Sequence, residues 1–373
     1  MKKSVISFLI ITLLTATIFA ISASAQTATL KSAPTEPSAQ SVAAALAALP
    51  AADTLIYINP RRILTVAAPK VIPPTDLANM RAAFDDIKKG VGVDPSMLDY
   101  VVIAMRFNKP TPDLSFTPPE LIAVLSGDFS ADSVMTGARL AMQEQARDEK
   151  HGTRTLAIIK IDPVAEMAAQ NPLLKSFSEI GFGPLNTNTL VIGTISYVKD
   201  AMDAADGTGR IASNAISSLV RDPDALVSAA GSPLTAFAKS FGLLGTQTTA
   251  RDPRCETGFG NFYAAITMDG SNFNFRGAMN ADNPDTAKII NNLLSGLLQQ
   301  AITSLPDKST QNVLNGLKFA ATENEVVMSA SVPETVIADL IREQSKPKVT
   351  AASQAPAAKK RVTRRRTRPT KQE

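Results

Sequence analysis

The chain predicts an α+β protein: two tandem β-α-β-β-α-β-β-α units with mostly antiparallel sheets and helices packed on one face. Three observations predict it. Short apolar strands alternate with amphipathic helices from Thr54 to Gln344, and strands joined by short turns pair antiparallel. The order of these elements repeats once along the chain. The 373 residues are 45% hydrophobic, which is enough for a large core.

The first unit, 49–215, opens on strand 54–59 (TLIYIN). A helix follows over 77–91, where Leu77, Met80, Phe84 and Ile87 recur at helical spacing. Strands 99–107 and 120–129, helix 131–146, strands 155–161 and 189–194 and helix 196–205 complete the unit. The second unit, 216–345, runs strand 225–231, helix 233–244 and strands 262–269 and 272–280. Helix 284–302, strands 317–323 and 325–331 and helix 333–344 close it. GDFSADS (127–133) stands where MNADNPD (279–285) does, and Asn188-TLVIG aligns with Asn324-EVVMS. Asp128 or Ser130 caps the helix that follows, and Asp282 with Pro284 does the same in the second unit. The units differ at 163–186, where the second has only a tight hairpin through Glu323 and Asn324. That insertion is either a functional segment or, through Leu173, Leu174 and Phe177, a packing element over the seam between units.

The two ends have different jobs. Lys2 and Lys3 precede the apolar stretch 5–22, and Ala23-Ser24-Ala25 supplies the small residues of a secretory cleavage site. Cleavage between Ala25 and Gln26 sends the body to the periplasm or outside the cell. The alternative is an uncleaved anchor, since the apolar stretch approaches spanning length. Residues 26–48 form a linker rich in Ala, Ser, Pro and Thr. The C-terminal 28 residues, 346–373, carry ten Lys or Arg against Glu373 alone and lack apolar periodicity, so they read as a disordered tail.

This divides the net charge of +4 very unevenly. Lys2, Lys3 and the tail take twelve of the 38 Lys and Arg and one of the 34 Asp and Glu, leaving 26 and 33 in residues 26–345. The body is acidic. Basic character therefore argues for polyanion contact by the tail, through Lys359, Lys360, Arg361, Arg364, Arg365, Arg366 and Arg368, and not by the globular part.

Most chemistries are missing. One Cys and one His exclude a disulfide framework and a His/Cys zinc site. Neither a phosphate loop nor a dinucleotide-binding glycine motif is present, and no cofactor is expected. His151, in RDEKHGTR (147–154), reads as a solvated turn residue between a helix and a strand. Cys255 sits near Arg251 and Arg254 without a histidine partner and reads as a free or intermolecularly paired thiol. Asp200, Asp203 and Asp206 read as a solvated helix face, and Asp269 to Asn272 as a hairpin turn, since neither has calcium-loop order. Ser196-Tyr-Val-Lys199 matches the S-x-x-K pattern of a serine acyl-enzyme nucleophile and its lysine base. The accessory motifs of such enzymes are in the wrong order here.

With LPAADTLIYIN (49–59) at its head and a repeated α+β unit behind it, the chain resembles exported bacterial proteins of unknown function. The resemblance covers the body, 45–345, and implies a fold without a transferable activity. The expected role is an exported, non-enzymatic envelope binding or scaffold protein. Its partner is an envelope polyanion or an anionic membrane surface, with nucleic acid among the polyanions the tail suits. The alternatives are a carrier of a small apolar ligand between the repeats and a serine hydrolase using Ser196 and Lys199.

Overall fold

The run TLIYI forms strand β1, Thr54–Ile58, with Leu55 and Tyr57 buried on one face and Ile58 on the other. A strand apolar on both sides belongs inside a covered sheet, and β1 is an interior strand of a twelve-stranded one. The computed structural model describes residues 39–91, 93–107, 119–142, 145–160, 178–231, 259–304 and 308–344. The sheet comprises β1, β2 (Leu98–Arg106), β3 (Glu120–Gly127), β4 (Ala146–His151), β5 (Arg154–Lys160) and β6 (Glu179–Asn186). It continues with β7 (Thr189–Gly193), β8 (Val227–Gly231), β9 (Phe259–Asp269), β10 (Asn272–Ala281), β11 (Lys318–Thr322) and β12 (Glu325–Pro333).

The strand order is β11-β12-β10-β9-β8-β1-β2-β3-β7-β6-β5-β4, with antiparallel neighbours throughout. The two halves of the chain thus share one sheet, joined where Thr54 to Ile58 pair with Gly231 to Val227.

Eight helices of seven residues or more pack on it among the described residues: α1 (Ala39–Leu46), α2 (Pro74–Val91), α3 (Ala131–Ala141), α4 (Ile195–Ala205), α5 (Ser213–Leu219), α6 (Pro284–Ser304), α7 (Lys308–Asn315) and α8 (Glu334–Gln344). Between β1 and α2 the chain is wound helically through Pro60–Arg62, a π-turned Ile63–Ala67 and Ala68–Val71, started by Asn59, whose side chain accepts from the Arg62 amide. No helix of the described residues is long and apolar enough to cross a membrane.

Helices cover both faces of the first half, which corrects the expectation of one. Leu55, Val102, Ile122 and Val191 pack beneath α1, α4 and α5. Their sheet neighbours Ile58, Val101, Ala123 and Leu190 face the opposite side, where α3 lies. The cause is in the strands: VVIA and LIAVL are apolar at consecutive positions, so neither face suits water.

Several boundaries differ from the sequence expectations. Helix α3 ends at Ala141, and 146–151, given to its end and the following turn, is the edge strand β4. Within the 163–186 insertion, 179–186 is strand β6, which forms the hairpin with β7. It is β6, not 155–161, that stands beside β7 as β11 stands beside β12. The caps are Ser130, accepting from the Ser133 amide, and Asn283 rather than Asp282, accepting from the Thr286 amide at 2.8 Å. Helix 233–244 and the rest of the insertion up to residue 177 lie outside the described residues.

Gly193 ends β7 where two backbones nearly touch. A Cβ there would stand 2.0 Å from the Leu121 carbonyl oxygen. The next residue uses that proximity: the Thr194 amide donates to the same carbonyl at 2.8 Å, and its hydroxyl accepts from the Leu121 amide at 3.0 Å. This fixes where α4 begins. Gly193→Ala should cost about 3 kcal/mol or more in urea denaturation, since backbone must move. Gly152→Ala, at φ 58° with open space around it, should cost about 1 kcal/mol, the left-handed penalty alone. Equal losses at the two positions would show that the close approach is not the constraint.

Candidate functional site

Among the described residues a dense group of titratable side chains surrounds α4, the helix of the Ser-x-x-Lys pattern. Its sequence ISYVKDAMDAA buries Tyr197, Val198, Ala201, Met202 and Ala204. Ser196, Lys199, Asp200 and Asp203 are left on its flanks, and Asp206 follows as the C-cap.

One flank meets the end of the β2–β3 pair. The Arg106 Nε donates to Glu120 at 2.7 Å, and its other nitrogens lie 2.6 Å from Glu120 and 2.7 Å from Asp200. The guanidinium lies over the Tyr197 ring, 4.5 Å from its centre. Partial burial works against the cation, but hydrogen bonds to Glu120 and Asp200 outweigh it and raise the Arg106 pKa. Tyr197 is fully buried and donates its hydroxyl to the Ala51 carbonyl at 2.9 Å. Burial pushes its phenol far above the ordinary range, so it remains a neutral donor.

The other flank meets the β4–β5 hairpin. Lys199 donates to Glu149. The His151 Nε2 lies 2.8 Å from the Asp203 Oδ1, and an Arg154 nitrogen lies 2.6 Å from the Asp206 Oδ1. Arg154 also donates to the Leu185 carbonyl, and Arg147 bonds Glu179 of β6. The carboxyls respond: the hydrogen bond from Lys199 holds Glu149 below its ordinary value, that from Arg154 does so for Asp206, and that from Arg147 for Glu179.

Chemically this is a clasp. Ser196 is exposed and its hydroxyl donates to Glu120, while Lys199 turns to Glu149 on the opposite flank. Nucleophile and base do not meet, so the geometry of a serine–lysine dyad is absent. His151 is not the free turn residue expected; it ends β4 and is held by Asp203. Asp200, Asp203 and Asp206 are not an idle solvated face, since each has a cationic or imidazole partner. The sequence contained the hint: aspartates every three residues on one helix, opposite a hairpin written RDEKHGTR.

Asp269 to Asn272 is the β9–β10 turn, with Gly270 at φ 55°. Among the described residues no group of acidic, His or Cys side chains could hold a metal ion. Ala25, Gln26, Cys255, Lys359, Lys360, Arg361, Arg364, Arg365, Arg366 and Arg368 lie outside the described residues.

Two open clefts are among those that the described residues form. One, of about 250 Å³, lies by the β1–β8 seam among small and polar residues such as Ala51, Asn214, Ser218, Gly231 and Asn261. The other, of about 260 Å³, lies against the second half of the sheet. There Tyr263 donates to Asp222, Arg276 approaches that carboxylate at 3.7 Å, and the Arg221 guanidinium is 5.4 Å from the ring centre. Both are smaller than typical small-molecule sites, which begin near ~300 Å³.

No family model matches the chain, and no curated protein matches it. Three crystal forms of the bacterial protein TP0453 are similar in structure, each at 11% identity. Form III has a TM-score of 0.43 and covers 80% of this chain and 97% of that one. Form I scores 0.42 over 84% and 99%, and form IV scores 0.41 over 79% and 95%. This likeness carries no activity to the present chain.

The clasp should be acid-labile. Glu149, Asp206 and Glu179 have lowered folded pKa values. Their contribution is complete above the ordinary carboxylate pKa and is lost as pH falls through the lowered folded values. The thermal midpoint should therefore fall below about pH 4.5. Lys199→Ala should move the Glu149 titration, followed by carboxyl NMR, up toward the ordinary range, with Arg147 and His151 still holding it down in part. A Glu149 titration that ignores the substitution would break the assigned pairing.

Proposed function

We propose that this is an exported, non-enzymatic envelope binding or scaffold protein whose basic segment 346–373 contacts a polyanion. One observation carries it: ten of the 38 Lys and Arg are concentrated in the last 28 residues, behind a body with 33 acidic and 26 basic residues. A segment of such charge density attracts phosphates, sulfates or carboxylates, in competition with the acidic body. Lys2, Lys3, the apolar stretch 5–22 and Ala23-Ser24-Ala25 support export, with Gln26 as the mature N-terminus. The geometry around α4 supports a role without acyl transfer, since Ser196 and Lys199 serve different carboxylates.

The polyanion is defined by chemistry: lipopolysaccharide phosphates, an acidic wall polymer, anionic lipid headgroups or nucleic acid. Each basic residue at such a surface contributes about 1 kcal/mol. Replacing Arg364, Arg365 and Arg366 by Gln should therefore weaken capture from envelope extracts by about two orders of magnitude at low salt. Capture by the unaltered protein should fade as salt rises. Capture that survives removal of 346–373 would sink the proposal and move binding to the body. Mass spectrometry of protein recovered from outside the cytoplasm should find a chain beginning at Gln26; a chain retaining Lys2 and Lys3 would instead favour the uncleaved anchor.

A further inference from the structure

The twelve-stranded sheet is open, so it has two edges, and they are built differently. At one end β4 reads ARDEKH, four consecutive charged residues. Three of them are tied to neighbours: Arg147 to Glu179, Asp148 to Arg139 and Glu149 to Lys199. Charges of this kind guard an edge against pairing with another chain. At the other end β11 reads KFAAT, with no charge from Phe319 to Thr322. Lys318, Ala320, Ala321 and Thr322 are exposed, and among the described residues β11 has a sheet neighbour on only one side. With Lys318 as its one charge, this edge is less guarded than β4 and can template another strand.

We infer that β11 pairs antiparallel with β11 of a second copy of this chain, joining the two sheets about a two-fold axis at Ala320. The backbone fixes the register. Thr322 and Glu325 face each other across the two-residue turn Glu323–Asn324, so Thr322, Ala320 and Lys318 direct their amides and carbonyls to β12. By alternation Phe319 and Ala321 direct theirs outward. A two-fold axis perpendicular to the sheet keeps each face on its own side, so residues facing each other must have the same parity. Centring on Ala320 places Phe319 against Ala321 of the second copy, which are the residues with free outward groups.

The side chains fit this register. Ala321 shares a face with its partner Val326, which packs against Ala287 and Ile290 of α6. On that face each Phe319 meets the small Ala321 of the other copy, large against small, twice. On the opposite face Lys318 meets Thr322 of the other copy, beside Glu325. The symmetric pair therefore has two complementary Lys–Glu rows and no like charges in opposition. Moving the axis to Phe319 or Ala321 loses this, the first by crowding the two lysines and the second by setting Phe319 against Glu323.

Single-cysteine crosslinking of the full chain in cells tests the register, with Cys255→Ser removing the one natural thiol. In a non-hydrogen-bonded antiparallel pair the Cα atoms are about 4.5 Å apart, within disulfide reach. Ala320→Cys should give a disulfide-linked dimer on mild oxidation. Thr322→Cys should not, because its copies would stand about 13 Å apart. Comparable crosslinking at both positions, or none at either, overturns the inference. As a second measurement, Ala320→Lys places two lysines at the axis on an exposed position. Protein purified from those cells should sediment as a dimer without the substitution and as a monomer with it, at unchanged circular dichroism. A monomer without the substitution, or a dimer that survives it, overturns the inference and leaves this edge to an extended peptide of some other protein.

Discussion

The pairing of β1 with β8 is the contact through which the two halves of the chain become one sheet. Five residues, Thr54 to Ile58, bond Gly231 to Val227 on one side and Met105 to Val101 on the other. The strand is therefore shared by both halves, and its apolar sequence has to satisfy cores on both of its faces. The approach at its end is close enough that Gly231 has no room for a side chain: a Cβ there would stand 2.3 Å from the Asp53 carbonyl oxygen. Asp53 is engaged as well, bonding through its amide to Met105 and through its carboxylate to the Phe107 amide. A substitution that displaced β1 would expose the interior of the first half and detach the second.

The α4 clasp follows from this arrangement. With the first half covered on both faces, the helix is placed by Gly193 and Thr194 against β3 and then tied at its flanks. Its ion pairs are partly exposed, and each alone contributes little, about 0–1 kcal/mol. Their number matters more than any one. Together they set the β4–β5 hairpin and α4 in one relative position, with Tyr197 and Arg106 at one end and Arg154 at the other. The chemistry that looked functional in the sequence, a serine, a lysine and a histidine, is used for attachment.

Much of this was legible in the residues. The α+β class, the central strands and the long helices follow from runs such as VVIAM and LIAVL and from the spacing of Leu77, Met80 and Phe84. The edge strand β4 was not legible, because ARDEKH has the composition of a helix end; it is a strand only because it pairs with β5. Strand β6 was hidden for a related reason. EIGFGPLN carries two glycines and a proline, which read as a loop, yet Gly181 and Gly183 sit where α4 side chains crowd the sheet: a Cβ at Gly183 would meet the Met202 methyl carbon at 2.3 Å. Helices on both faces follow from the same runs, since strands apolar at consecutive positions leave neither face fit for water. For the site, the sequence named Ser196 and Lys199 correctly as residues one turn apart but held no information on which way they turn. That depends on Glu120 and Glu149, far away along the chain.

The two halves divide the labour unequally. In the first, strands are apolar on consecutive positions and both faces are covered. In the second, β10 alternates: Phe273, Gly277 and Ala281 are buried, whereas Asn272, Arg276 and Asn280 are exposed. Helix α6 over this half leaves Ile289, Leu293 and Leu297 exposed, a spacing of four that marks one stripe of the helix. Side chains that looked chemical in the first half are engaged in internal contacts, and the second half ends in an edge strand whose one charge is Lys318. The two proposed contacts would differ: edge pairing would join identical bodies through backbone geometry and withstand salt, while the basic segment would hold a polyanion through charge and yield to it. Joined in one chain, they would make each weak basic contact multivalent, since two segments on one dimer raise the effective concentration of the second contact once the first has formed.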